Sequence, residues 1–279
     1  MFDKREKNAE IFRDTQKRFN TDPELAAAVE ASIAGQRFVA ANETIDISFG
    51  KTDTRVYVSE KRSLEAAAAY AREGKKVCVL NFASASNPGG GVVNGASAQE
   101  ESICRCSTLY PCLNTKEMWE KFYTPHRIAA DPLHNDDLII TPDVVVFKSD
   151  ISFPEPLPRE SWYKVDIITC AAPNLRQRPS NEMNPNGGSK PVRVTSEELY
   201  ALHESRARKI ISAAISTGCQ VLILGAFGCG AFKNSPKVVA EVYHNITKEY
   251  FGCFETIEFA IYHIPRDNTN FDAFNDIMK

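Results

Sequence analysis

The sequence contains no stretch approaching the ~18 consecutive apolar residues that a membrane-spanning helix requires. It also lacks an excess of positive charge: 33 Lys and Arg stand against 36 Asp and Glu, a formal net charge of −3. Non-specific nucleic-acid binders carry a basic surplus, so that class loses weight. An anionic ligand would instead have to be held by local backbone dipoles and a few cations. Residues 1–20 are polar and charged with no apolar core, which argues against a secretory signal. There is no internal repeat and no low-complexity tract.

What is present fits an ordinary globular protein. The 279 residues suffice for one large α/β domain or two small ones, and nothing marks a boundary, so residues 1–279 read as one domain with 1–40 as a helical extension. Hydrophobic content is 43% and charged content 25%, enough to bury a core. Eight cysteines occur, Cys78, Cys104, Cys106, Cys112, Cys170, Cys219, Cys229 and Cys253. Several lie inside apolar runs, as in Val77-Cys78-Val79-Leu80. That pattern implies buried free thiols and a reducing compartment, and the expected location is the cytoplasm.

Hydrophobic periodicity predicts an alternation of strands and helices. Residues 3–34 are helix-like, with Asp22 as N-cap and Pro23 at the first helical position. Residues 44–60 are expected to form a strand or hairpin. Ser63 should cap an Ala-rich helix that runs through Ala71 and ends before Gly74. Lys76–Asn81 and Val165–Cys170 read as buried strands. Residues 97–110 are expected to be helical, and 138–147 to be two strand pieces around a Pro142-Asp143 turn. The stretch 153–159 is a Pro-rich loop, and 173–195 a long polar one. Glu197–Thr217 is a periodic helix ended by Gly218. Gln220–Leu224 is a strand, a helix opens at Ser235-Pro236 and runs to about Tyr250, and Ile257–Ile264 is a last strand. Such alternation implies a mixed or mostly parallel sheet within about 40–265, with helices on both faces.

Two loops carry the chemistry. The first follows the strand ending at Asn81 and includes Asn87, Pro88, Gly89, Gly90, Gly91 and Asn94. Three consecutive glycines are costly in chain entropy and make sense where a ligand must approach bare N–H groups, although a tight turn or bulge would also use them. The second loop follows the strand ending at Leu224 and runs Gly225, Ala226, Phe227, Gly228, Cys229, Gly230, Ala231, Phe232. A glycine-rich turn that opens a helix presents N–H groups and the positive end of the helix dipole, which suits a diphosphate. Its Gly-x-x-Gly-x-Gly spacing is neither the dinucleotide fingerprint nor a P-loop. Phe232 could face a sugar or simply belong to the core.

The run Gln99-Glu100-Glu101 is the sharpest feature. Adjacent carboxylates on a helix diverge by about 100°, so the two should have different tasks. One can hold sugar hydroxyls while the other moves a proton, and a carboxyl buried beside a ligand has its pKa raised toward the range of a general acid. Taken alone, such a run is usually a solvated helix start.

In combination, Gly89-Gly90-Gly91, seven residues and then Gln99-Glu100-Glu101 resembles the catalytic signature of the poly(ADP-ribose) glycohydrolases. The run Gly225–Phe232 resembles that family's diphosphate loop, and the approach from Asn81 to Gly91 looks like its bacterial and fungal branch. The resemblance implies a macrodomain-like three-layer α/β/α fold with a central mixed sheet. It implies hydrolysis of the ribose–ribose O-glycosidic bond of poly(ADP-ribose), releasing ADP-ribose, with no cofactor and no metal. Glu101 would be the catalytic acid and base, and Glu100 would bind hydroxyls beside the scissile bond. Gly89, Gly90, Gly91 and Gln99 would line the ribose and diphosphate, with a hydroxyl contact expected from Asn87 or Asn94. The segment Gly225, Phe227, Gly228, Cys229, Gly230, Ala231 and Phe232 would close over the diphosphate. The partners implied are poly(ADP-ribose) or ADP-ribosylated macromolecules, bound by a monomer away from membranes.

Other readings remain open at the level of sequence. Hydrolysis of mono-ADP-ribosyl groups on protein or nucleic acid would share the cleft, and a non-catalytic ADP-ribose reader would share the fold. A reader has no need of paired carboxylates. A zinc site from Cys104, Cys106, Cys112 and His126 has non-standard spacing, and residues two apart on a helix diverge.

Overall fold

The computed structural model describes residues 3–180, 188 and 190–279. Two helices, α1 (Lys4–Thr21) and α2 (Pro23–Ala34), open the chain. Asp22 ends the first and caps the second, accepting from the Glu24 and Leu25 N–H groups with Pro23 at the first helical position. A short strand, β1 (Arg37–Val39), follows, then β2 (Arg55–Ser59), α3 (Ser63–Arg72) and β3 (Val77–Phe82). Between β3 and the next strand lie α4 (Gln99–Cys106), α5 (Leu109–Leu113), α6 (Lys116–Met118), a π-helical turn (Trp119–Tyr123) and α7 (Thr124–Ala129). The chain continues through β4 (Leu138–Val146), β5 (Tyr163–Cys170), α8 (Ser196–Ser216), β6 (Val221–Leu224), α9 (Pro236–Glu249), β7 (Thr256–Ala260) and α10 (Thr269–Ile277).

Among the described residues the strands form one mixed sheet in the order β1-β4-β5-β3-β6-β7-β2. The pairs β5-β3, β3-β6, β6-β7 and β7-β2 are parallel, and β1-β4 and β4-β5 are antiparallel. The strand period of two splits the core between the faces. Cys78 and Leu80 of β3, Leu222 and Leu224 of β6, and Ile168 and Cys170 of β5 pack with α8 and α9. Val77 and Val79, Val221 and Ile223, and Val165 and Ile167 pack with α3, α4 and α5 on the other side. This is a three-layer α/β/α arrangement.

The N-terminal helices are tied to that body. Lys148, 1% exposed, ion-pairs with Asp14 at 2.7 Å and donates to the Ile11 carbonyl. The buried Thr15 hydroxyl donates to the Arg105 carbonyl at 2.6 Å.

Several expectations are corrected. Of residues 44–60 only Arg55–Ser59 form a strand. The preceding segment crosses the chain at Gly252, where Thr52 N–H donates to the Gly252 carbonyl, and Ile45 and Ile47 pack on the core without regular pairing. The residue at the N-cap of α3 is Arg62, and Ser63 is the first helical residue. Residues 138–146 are a single strand bent by a bulge between Thr141 and Val144, where Asp143 takes φ 54°, and are not two pieces around a turn. The helix expected over 97–110 is shorter and breaks at Ser107, whose backbone is extended. The last strand ends at Ala260, and β1 starts the sheet slightly earlier than residue 40. The loop expected over 173–195 falls partly outside the described residues, and its described parts, 173–180 and 190–195, hold no helix or strand.

Candidate active site

The two glycine loops meet because of sheet order. β3 and β6 are parallel neighbours, with Val77 beside Val221 and Val79 beside Ile223. Their C-terminal ends therefore emerge side by side, and the loops that leave them, 83–91 and 225–232, lie against one cleft. This is the usual ligand-binding edge of an open α/β sheet. The cleft has a volume of about 560 Å³. Gly90, Gly91, Gln99, Glu100 and Glu101 line it from one side, and Phe227, Gly228, Gly230, Ala231 and Phe232 from the other.

Glu100 and Glu101 start helix α4 and diverge as the helical geometry demands. The Glu101 carboxyl accepts the Gly91 N–H through Oε1 at 2.9 Å. Its other oxygen, Oε2, is enclosed without a hydrogen-bond partner among the described residues, and the residue is 8% exposed. Glu100 turns toward the end of β3, accepting from Ser84 N–H at 2.8 Å and from Asn81 Nδ2 at 3.3 Å. Burial pushes its carboxyl well above the usual carboxylate range, and the neighbouring charge of Glu101 adds to the shift. The elevation argued from the sequence therefore applies to Glu100.

Gln99 has a structural use for its whole amide. Its Oε1 accepts the Phe82 N–H at 2.9 Å, and its Nε2 donates to the Leu80 carbonyl at 2.7 Å and to Ser63 Oγ at 3.0 Å. It thus clasps α4 to the end of β3 and fixes where the two carboxyls start.

The glycine requirement is concrete at two positions. Gly90 has φ +57, and a Cβ there would stand 2.6 Å from Glu101 Oε1 and 3.0 Å from Glu100 Oε2. Gly228 has φ +76, and a Cβ would meet the Ala172 side chain at 2.6 Å. Both are left-handed and crowded, so no side chain fits.

The remaining expected residues, Asn87, Gly89, Asn94, Gly225 and Cys229, do not line this cleft. Gly89 is hemmed in by Tyr110, Val92 and Cys104. Gly225 approaches the Phe82 ring and the Ala260 carbonyl. Cys229 is buried, its thiol pushed upward by burial. Asn87 receives a hydrogen bond on Oδ1 from Arg127, whose guanidinium also donates to the Ser86 carbonyl and lies over the Trp119 ring. Asn94 is exposed at the end of the short turn 92–94. Cys104, Cys106 and Cys112 have separate surroundings: Cys104 abuts Gly89, while the thiols of Cys106 and Cys112 donate to the Ser149 and Thr108 carbonyls. Among the described residues, no group of three or more His, Cys, Asp or Glu could hold a metal ion.

Sequence reasoning missed several lining groups. Arg5, Arg62 and Arg176 bring positive charge to the cleft, and Asp150 a buried carboxyl that burial pushes upward. Single arginines have no distinctive spacing, so nothing in the pattern pointed to them. Arg5 arrives because α1 packs on the loop after the glycine triplet: Asn8 donates to the Gly95 carbonyl, and Gly95, at φ +74, lies directly on the Arg5 backbone. Asn81 did offer a signal, as an amide inside an apolar strand. It is fully buried and links Glu100 to Thr169.

The chain is similar to known proteins over this framework. Residues 9–149 match the family model of the microbial-type PARG catalytic domain. The crystal structure of poly(ADP-ribose) glycohydrolase from Thermomonospora curvata is 31% identical, with 98% of this chain and 100% of that chain covered and a TM-score of 0.82. A structure of the Thermomonospora curvata protein bound to the inhibitor ADP-HPD is 31% identical, covering 98% and 99%, with a TM-score of 0.79. The Deinococcus radiodurans poly(ADP-ribose) glycohydrolase in complex with ADP-ribose is 30% identical, covering 90% and 96%, with a TM-score of 0.75. No curated protein matches the chain. With this identity sustained over nearly its whole length, the chain belongs to the family of microbial-type poly(ADP-ribose) glycohydrolases.

Proposed function

We propose that this protein hydrolyses the ribose–ribose O-glycosidic bond of poly(ADP-ribose) and releases ADP-ribose. The observation that carries the reading is the Glu101 carboxyl, enclosed at the meeting point of two glycine turns, with one oxygen pinned by the Gly91 N–H and the other without a partner among the described residues. The solved relatives bind ADP-ribose and ADP-HPD, which supports a ligand of that shape in the same cleft.

The chemistry needs one mobile proton and one water. The bond between the anomeric carbon and the 2′-oxygen of the preceding ribose breaks, and its electron pair stays on that oxygen. Glu101 delivers its proton there, leaving an oxocarbenium-like sugar and an ionised carboxylate. Water adds to the anomeric carbon and returns a proton to Glu101. The products are free ADP-ribose and a chain shorter by one unit. Glu100, whose carboxyl burial pushes well above the usual carboxylate range, stands beside it to hydrogen-bond ribose hydroxyls and orient the sugar.

The backbone of 225–232, with the cations of Arg5, Arg62 and Arg176 in the same cleft, supports a diphosphate. Phe232, half-buried at the lining, offers an apolar face to the sugar. The eight cysteines are all unpaired, which supports action in a reducing compartment such as the cytoplasm.

The test is product analysis on two substrates side by side: purified poly(ADP-ribose) and a mono-ADP-ribosylated protein. Release of ADP-ribose from the polymer, well above release from the mono-modified protein, is expected. Release from the mono-modified protein alone would replace this reading with that of a mono-ADP-ribosyl hydrolase.

A further inference from the structure

The second glycine turn is held from behind by two buried side chains that do not line the cleft. Asn234 is 2% exposed and His203 of α8 is 0% exposed. Asn234 Nδ2 donates to the Pro173 carbonyl at 2.6 Å and to the Gly228 carbonyl at 3.0 Å. Its backbone N–H also donates to the Gly228 carbonyl. On its other side, Asn234 Oδ1 lies 2.8 Å from His203 Nε2. We propose that His203 and Asn234 are a positioning pair that sets the loop Gly225–Phe232, and thereby the affinity for ADP-ribose rather than the rate of bond cleavage; this rests on the poly(ADP-ribose) reading above.

The hydrogen-bond pattern fixes the arrangement. Carbonyls only accept, so the face of Asn234 toward Pro173 and Gly228 must be its NH2 group. Its oxygen then faces His203, and Nε2 of His203 must carry the ring hydrogen. His203 Nδ1 has no partner among the described residues. Burial drives the ring's pKa down to about 4, so the imidazole stays neutral and the single donor stays on Nε2. The Phe227 ring packs edge-on against it at 5.8 Å between centroids.

The consequence reaches the cleft in one step. Were the Asn234 amide to flip, its oxygen would face the Pro173 and Gly228 carbonyls and repel both. The His203 donor satisfies the amide oxygen in the productive orientation and ties the amide to helix α8. Gly228 rests against this amide so closely that a Cβ would be 2.8 Å from Nδ2. The exit of β5 at Pro173, the turn after β6 and helix α8 therefore share one pin. Releasing it loosens backbone N–H groups that would hold the ligand, while Glu100, Glu101 and their partners on the other side of the cleft stay fixed.

The experiment compares His203→Leu with His203→Gln. Leucine removes the donor, and the glutamine amide places an N–H at nearly the position of Nε2. Calorimetry gives Kd for ADP-ribose, turnover on poly(ADP-ribose) gives KM and kcat, and thermal midpoints are recorded for each protein. His203→Leu is expected to weaken Kd and KM by about tenfold, the scale of one lost buried hydrogen bond, with kcat within about threefold of wild type. His203→Gln should recover affinity to within about threefold. If the leucine variant does not fold, His203→Asn, which keeps an amide but stops one bond short, takes its place with the same expectation. Wild-type affinity in the loss variant, glutamine as weak as the loss variant, or a fall in kcat at unchanged Kd would each overturn the proposal. Failure of the wild-type protein to cleave the polymer would instead count against the functional reading.

Discussion

Gly90 occupies the space into which Glu101 points: a Cβ at residue 90 would lie 2.6 Å from the Glu101 Oε1 atom. The carboxyl therefore takes its position from the absence of a side chain as much as from its bond to the Gly91 N–H. The glycine triplet and the glutamates form one device, with backbone on one side and helix α4 on the other.

Gly90→Ala should accordingly damage catalysis more than stability. The left-handed φ of +57 costs about 1–2 kcal/mol for an L-residue, and the new methyl displaces Glu101 besides. We expect kcat/KM on poly(ADP-ribose) to fall by about 100-fold or more, because small misplacements of a catalytic group are costly. Gly74→Ala is the matched control: it has φ +77 at the end of α3, with nothing within 4 Å of the added Cβ. That variant should lose comparable thermal stability and keep its activity. Equal activity losses in the two would show that backbone strain, and not displacement of Glu101, is responsible.

Acid should weaken the fold through its buried histidines. Burial lowers the pKa of His203 to about 4 and of His134 to about 3, from an ordinary 6.5. A lowered folded-state pKa means the unfolded chain binds more protons, so this stability is complete above pH 6.5 and is lost as pH falls toward the folded values. For His203 alone the loss is roughly 3 kcal/mol between pH 6.5 and 4. Glu100 and Asp150 act in the opposite sense, since their raised pKa values favour the folded state as they protonate. The clean measurement is therefore a difference: urea midpoints of wild type and His203→Gln from pH 7.5 to 4.5. The wild-type curve should fall more steeply below pH 6.5, and parallel curves would refute the assignment.

The sequence was most informative where one local rule had no rival. Asp22-Pro23 gave a helix start at the right residue, and β3, β5 and β6 were legible as short apolar runs between turn residues. The glycine loops and Gln99-Glu100-Glu101 could be read because their spacing is distinctive. Other features depended on partners far along the chain. β1 is only three residues long and exists because β4 offers it an edge. The segment before β2 has strand-like composition, but the crossing at Gly50 and Gly252 leaves it no ladder to join. Strand order was likewise invisible, and it is strand order that brings residues 90 and 228 to one cleft. The arginines of the cleft and the buried pair His203 and Asn234 were missed because a solitary polar residue carries no periodicity.

The most direct test of the account is Glu101→Gln. The amide keeps the size of the side chain and an oxygen to accept the Gly91 N–H, but it has no proton to deliver to the leaving oxygen. Calorimetry should show ADP-ribose bound within a few-fold of wild type, while release of ADP-ribose from poly(ADP-ribose) falls by about 100-fold to 10,000-fold, the range for loss of a general acid. Turnover within tenfold of wild type would show that the proton comes from another group, and the mechanism built on Glu101 would be wrong.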